Sequence, residues 1–354
     1  MKKTLALLAG VLAVMISGCS GAGAPNAAAP AQTAAKAQEQ TEAKGQAGTE
    51  KQDGKVYTLK IGVVITDTDP LYAGLQEMKR QAEEKSGGRL KIELYPSSQL
   101  GDTSEVIEQA VAGANVGTIA GSSQLEGYCK DFGIVMGPYI MRDYEDCLKL
   151  IDSDLYAKWV DEISGSGLRL LSFNYQQGER YMVTKKAVVH PEDMKGLMIR
   201  TFSSELPLGA IEQAGATGST LAWSEVYSGI QQKVIDGCEA QISAISGSAL
   251  TEVAPYVAKT GHFQMLSGLV VGNAFYNSLP EDLQQILMET SIAGGTFASD
   301  MVYEKAEDYE RELTEKGAVF TEVDRDEWAL AMDPIYDKLG LRELKDQIDE
   351  ILAR

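Results

Sequence analysis

The residues of this 354-residue chain best suited to hold a small molecule are an arginine at a strand end and a run of hydroxyls and amides at another. Arg200 follows Leu197-Met198-Ile199, a short apolar run of the kind that forms a buried strand. Ligands of open α/β sheets bind in the crevice beyond the carboxyl ends of the strands. A guanidinium there faces a ligand, and its planar fork suits a carboxylate. Gly121-Ser122-Ser123-Gln124 closes a second predicted strand, Val116 to Ala120, and offers two hydroxyls and an amide at the same kind of place. Catalysis has little support. The chain has two histidines, His190 and His262, and no HExxH, CxxC or GxSxG pattern. A zinc site, a cofactor and a base–nucleophile pair are therefore not expected, and His262 reads as a core residue.

The elements that must position these groups can be read in order. Tyr57 to Val64 predicts a first strand, Leu71 to Ser86 an amphipathic helix ended by Gly87-Gly88, and Leu90 to Tyr95 a second strand. A helix from Thr103 to about Gly113 precedes the strand at Val116, so the order is βαβαβ and the sheet parallel. Helices follow near Tyr144 to Leu150 and Ser153 to Ser164. Leu168 to Phe173 predicts a strand, Gln176 to Arg180 a loop, and Tyr181 to Thr184 another strand. His190-Pro191-Glu192-Asp193 opens a helical turn before Arg200, and the segment to Ala240 reads strand, helix, strand, helix, strand. Ser203 or Ser204 is placed to cap the helix that ends at Gly215. Leu266 to Val271 predicts a strand returning to the first lobe, and a long helix runs from Leu279 to about Lys316. A short strand at Ala318 to Phe320 and two charged helices complete the chain.

The amino terminus is a different kind of sequence. Lys2-Lys3, an apolar core from Leu5 to Ile16, and Ile16-Ser17-Gly18-Cys19 read as a signal peptide with its cleavage site before a cysteine. It resembles a bacterial lipobox, which implies a lipid on Cys19; ordinary secretory cleavage is the alternative. The stretch after Cys19, to about Gly54, has almost no large apolar residue and reads as a tether. The expected organisation is a leader at 1–18, lipidated Cys19 and tether at 19–54, one lobe from 55–177 with 266–305, and a second from 178–265 with 306–354. The formal net charge of −19, lowered by two more when Lys2 and Lys3 leave with the leader, excludes nucleic acid as a partner. An acidic ligand then requires a local positive site. Cys129, Cys147 and Cys238 are far apart in sequence and odd in number, so buried free thiols are expected rather than a disulfide framework.

Five pieces in this order, EEKSGGRLKIELYPSSQLG, DFGIVMGPYIMRDYE, PEDMKGLMIR, SEVYSGIQQKVIDG and LPEDLQQILMET, resemble the DctP-type solute-binding proteins of TRAP transporters. The match runs from about Leu59 to Leu339. The resemblance implies an α/β, two-lobed, hinge-closing periplasmic-binding-protein-like fold with long connecting helices. It implies an extracytoplasmic binder that hands an organic acid to membrane subunits and performs no chemistry. The alternative is a lipoprotein that presents its ligand to a sensor kinase or chemoreceptor. By the resemblance Arg200 is the carboxylate-binding arginine, and Arg180 the assisting one, unless Glu179 pairs with it. Trp223 stacks on the ligand or packs the hinge. The chain departs from the family at Ala240, where Asn is common, leaving Gln241 to substitute. Gly121 and Gln124 are uncharged where sialic-acid binders place an acid and an arginine, and Asp69 stands where a histidine is usual. The expected ligand is an organic monocarboxylate or sugar-acid-like molecule whose far end meets Gln124, Ser122, Ser123 and Tyr175.

Overall fold

The computed structural model describes residues 54–353. The leader, Cys19 and nearly all of the tether lie outside the described residues. The described residues form ten strands: β1 (Tyr57–Gly62), β2 (Leu90–Tyr95), β3 (Val116–Gly121), β4 (Leu168–Thr184), β5 (Met198–Arg200), β6 (Thr217–Ser219), β7 (Gly237–Gln241), β8 (Tyr256–Ala258), β9 (Gln264–Gly272) and β10 (Val319–Thr321). They form one path, β2-β1-β3-β9-β4-β7-β5-β6, with β8 on β4 and β10 on β8. The first half is built as the βαβαβ order requires, with β1 parallel to β2 and to β3. β9 then runs antiparallel to both β3 and β4. In the second half β7 is antiparallel to β4, and β5 is parallel to β7 and β6. Each half carries apolar cores of its own: Leu59, Ile61 and Leu75 in one cluster of the first half, Val183, Ile235 and Val257 in one of the second. The result is a mixed α/β fold of two lobes sharing β4.

The sequence splits β4 into two strands with a loop at Gln176 to Arg180; the structure keeps one strand of 17 residues. Both neighbours hold the backbone extended there, β9 at Gln176↔Leu266 and Glu179↔Gln264, and β7 from Arg180↔Gln241 onward. The turn-like composition is absorbed as register shifts between Ser172 and Tyr175 and between Gln176 and Glu179. Gly178, at φ +93°, sits in the second of these and takes a conformation costly for other residues.

The long helix Glu281–Glu315 backs β4. Its small residues make this possible. Ser291 and Ser299 bond Ser172 and the Asn174 and Gln176 backbone, and Gly294 lies so near Gly74 O that an added Cβ would stand 2.7 Å away. Where two charged helices were expected at the end, the described residues form three, Arg325–Met332, Pro334–Lys338 and Arg342–Ile351, with Pro334 opening the second. Cys129, Cys147 and Cys238 are buried free thiols. Among the described residues no helix is long and apolar enough to cross a membrane, and no group of three or more His, Cys, Asp or Glu is placed to hold a metal ion.

Candidate functional site

A cavity of about 290 Å³ opens between the two half-sheets. It lies beyond the carboxyl ends of several strands: Val63 and Val64 follow β1, Gly121 ends β3, Arg200 ends β5, Thr220 follows β6, and Gln241 ends β7. This is the crevice in which open α/β sheets hold ligands, and its size sits at the lower end of small-molecule pockets. Val63, Ile65, Leu71 and Ile119 make one apolar wall, and Leu221, Phe202 and Trp223 another.

Arg200 is 7 % exposed. Its Nε donates to Leu221 O at 2.9 Å, which fixes the plane of the guanidinium, and Nη1 is buried without a partner. Its guanidinium carbon lies 5.3 Å from the Phe202 ring centre and 5.5 Å from that of Trp223. Burial pushes its pKa down, offset only in part by Cys238 and then Asp102. An unpartnered N–H edge on a buried cation is an anion site in waiting: leaving it empty is costly, and an incoming carboxylate satisfies it.

Arg180 also lines the cavity, but each of its three guanidinium nitrogens already has a protein partner. It pairs with Glu239, donates from Nη1 to Gln241 Oε1 at 2.6 Å, and donates from Nη2 to Glu239 O. Burial and the like charge of Arg200 lower its pKa to about 9, which leaves it charged at neutral pH beside Glu239. Both guanidiniums lie over the Phe202 ring, that of Arg180 at 4.7 Å from its centre. The alternative pairing with Glu179 is not formed. Glu179 turns the other way along the strand and binds Arg325 at 2.6 and 2.8 Å.

Gln241 lines the cavity, and its Nε2 donates to Gln177 Oε1 at 2.7 Å. Ala240 points into the core behind it, as alternation along β7 requires. Gln124 lines the cavity too; its Oε1 accepts from Gly121 N at 3.0 Å, closing its own turn. Three expected contacts are placed elsewhere. Ser122 and Ser123 are not among the lining residues; the cap Gly121 and, three residues on, Gln124 of the turn Ser122–Leu125 line the cavity instead. Tyr175 is fully buried among Leu75, Met78 and Leu269, with its hydroxyl toward Gly294. The register shifts in β4 break the alternation that would have aimed it at the ligand.

Sequence reasoning missed Glu239, Gln177 and Phe202. Glu239 is fully buried and also accepts from Thr201 Oγ1 at 3.0 Å. An acid inside the wholly buried strand Gly237–Gln241 demands a cation, but that the strand is buried on both faces emerges only from its pairing.

His262 is fully buried. Its Nδ1 is 2.7 Å from Thr260 Oγ1, and Nε2 has no partner. Burial, reinforced by Arg180, lowers its pKa to about 3. An unfolded imidazole titrates near 6.5. Below about pH 6.5 the unfolded chain therefore takes up a proton that the folded one refuses, and stability falls as pH drops toward 3. The neutral ring's contribution is complete above 6.5. His262→Asn is expected to flatten the acid limb of the melting temperature plotted between pH 6.5 and 4; a limb as steep as in the parent protein would count against this.

The model for bacterial extracellular solute-binding protein family 7, DctP, matches residues 61–343. The chain belongs to this family. It is therefore an extracytoplasmic solute-binding protein of the TRAP type. It is 26 % identical over 298 residues to the 2,3-diketo-L-gulonate-binding periplasmic protein YiaO of Escherichia coli K12, covering 84 % of this chain and 90 % of that one. A TRAP periplasmic solute-binding protein from Escherichia fergusonii, solved in an apo open form, is 34 % identical with a TM-score of 0.75, over 84 % of this chain and 100 % of that one. One from Actinobacillus succinogenes 130z, solved with bound L-galactonate, is 28 % identical with a TM-score of 0.81, over 84 % and 99 %.

Proposed function

We propose that this family 7 protein captures a sugar acid bearing a single carboxylate and delivers it, unaltered, to TRAP membrane subunits. The observation that carries the reading is the unpartnered Nη1 of buried Arg200 beside an Arg180 already matched by Glu239. One cation remains for one anion. The remaining polar lining, with Gln124, Ser98, Ser203 and Thr220, is neutral apart from Asp102 and suits hydroxyls. Relatives that bind 2,3-diketo-L-gulonate and L-galactonate support the same class. In this reading Arg200 grips the carboxylate, Trp223 and Phe202 cover the ligand, and Gln124 and Gln241 meet its hydroxyls.

The lobes close over the cargo, with bounds at 55–177 plus 266–305 and at 178–265 plus 306–354. The passage of β4 from β9 to β7 between Glu179 and Arg180 supports a pivot there. The better overlay on the ligand-bound structure than on the open one of higher identity supports a closed arrangement. A lipid on Cys19 holds the protein at the membrane, as the leader sequence suggests. The test is a thermal-shift screen over aldonates, uronates, C4-dicarboxylates and amino acids, since only a true ligand raises the melting temperature by mass action. A sugar acid is expected to give the largest shift; stabilisation by C4-dicarboxylates alone would sink the proposal.

A further inference from the structure

Among the described residues that line the cavity, Asp102 carries the only carboxylate. It precedes the helix Thr103–Val111 and caps it: Oδ1 accepts from Ser104 N at 2.9 Å, and the Asp102 N–H donates to Glu105 Oε2 at 2.9 Å. The cap fixes this acid in place whether or not a ligand is present. It reaches the cavity from the first half-sheet, and Arg200, with its unpartnered Nη1, reaches it from the second. An empty cavity therefore has a positive end and a negative one. A carboxylate seated on Arg200 leaves the rest of the molecule in the field of Asp102. Around Asp102 the lining offers Ser98, Thr103 and Ser104, all neutral. No cation is free to receive a second anion, because Glu239 takes up the charge of Arg180.

We propose that Asp102 sets specificity at the far end of the ligand, accepting a hydrogen bond from a hydroxyl there and turning away molecules with a second anionic group. The inference rests on the sugar-acid reading above. It adds the residue that discriminates and the chemistry that residue rejects.

The experiment is calorimetry with matched pairs, L-galactonate against galactarate and D-gluconate against D-glucarate. Each pair differs in whether the last carbon is a primary alcohol or a carboxylate. The protein is expected to bind one aldonate at least about a hundredfold more tightly than its aldarate. Asp102→Asn keeps a good capping residue and removes the charge. It is expected to narrow that ratio about tenfold, and raising the salt should narrow the ratio in the parent protein but not in the variant. Asp102→Ser, also a capping residue, serves as the second variant. A ratio unchanged in both variants, or a parent protein that binds the aldarate as tightly as the aldonate, overturns the role of Asp102 while leaving sugar-acid binding intact. A parent protein that binds no sugar acid and is stabilised by another solute overturns the earlier reading, and this one with it.

Discussion

Replacing Arg200 by alanine is expected to weaken ligand binding at least about a hundredfold while the protein stays folded. A hydrogen bond to a charged group contributes about 1.5–3 kcal/mol net, so two from one guanidinium edge give about 3–6 kcal/mol. That is a large share of the roughly 8 kcal/mol behind micromolar affinity. The only hydrogen bond the native state loses is the one from Nε to Leu221 O, a modest cost to stability. Lysine is not a substitute. It keeps the charge but cannot hold Leu221 O and present a planar edge at once, and Arg200→Lys is expected to lose at least about tenfold. Calorimetry with a ligand found in the thermal-shift screen decides the matter, and an affinity unchanged in the alanine variant would remove Arg200 from the site.

Removing Glu239 should instead strike stability. Glu239 and Arg180 are 0 % and 2 % exposed, and among the described residues no other carboxylate pairs with Arg180. Deleting one partner of such a pair leaves a buried charge uncompensated, at a cost of about 3–5 kcal/mol. Glu239→Ala is therefore expected to lower the midpoint of urea unfolding sharply. The double variant Glu239→Leu with Arg180→Met should recover much of the loss, because it leaves no charge to strand. If the double variant were as unstable as the two single changes added together, the penalty would come from lost packing rather than from a stranded cation.

These two residues mark what the sequence made visible and what it hid. Arg200 was legible because its evidence is local: three apolar residues, a cation, then serines that start a helix. Glu239 was not, because its partner is 59 positions away in the chain. Nothing in Gly237 to Gln241 says which way the acid faces until β7 is laid against β4. The same limit governs β4 itself. Gln176-Gln177-Gly178 has the composition of a loop, and only the strands on either side of it, drawn from distant parts of the chain, hold it straight. Tyr175 was misassigned for that reason, since its direction depends on register shifts that only pairing creates. The helices and the parallel strands of the first half, whose periodicity and caps are local, were placed within a few residues.

The long strand β4 has a corollary. Because one continuous piece of backbone is a structural member of both sheets, neither half can be excised with its hydrogen bonding complete, and a fragment ending anywhere along it strands the backbone of its former neighbour. A half therefore does not move to another protein as a free-standing module, as a domain joined by a slack linker can. Replacements around the cavity, by contrast, leave that shared backbone untouched.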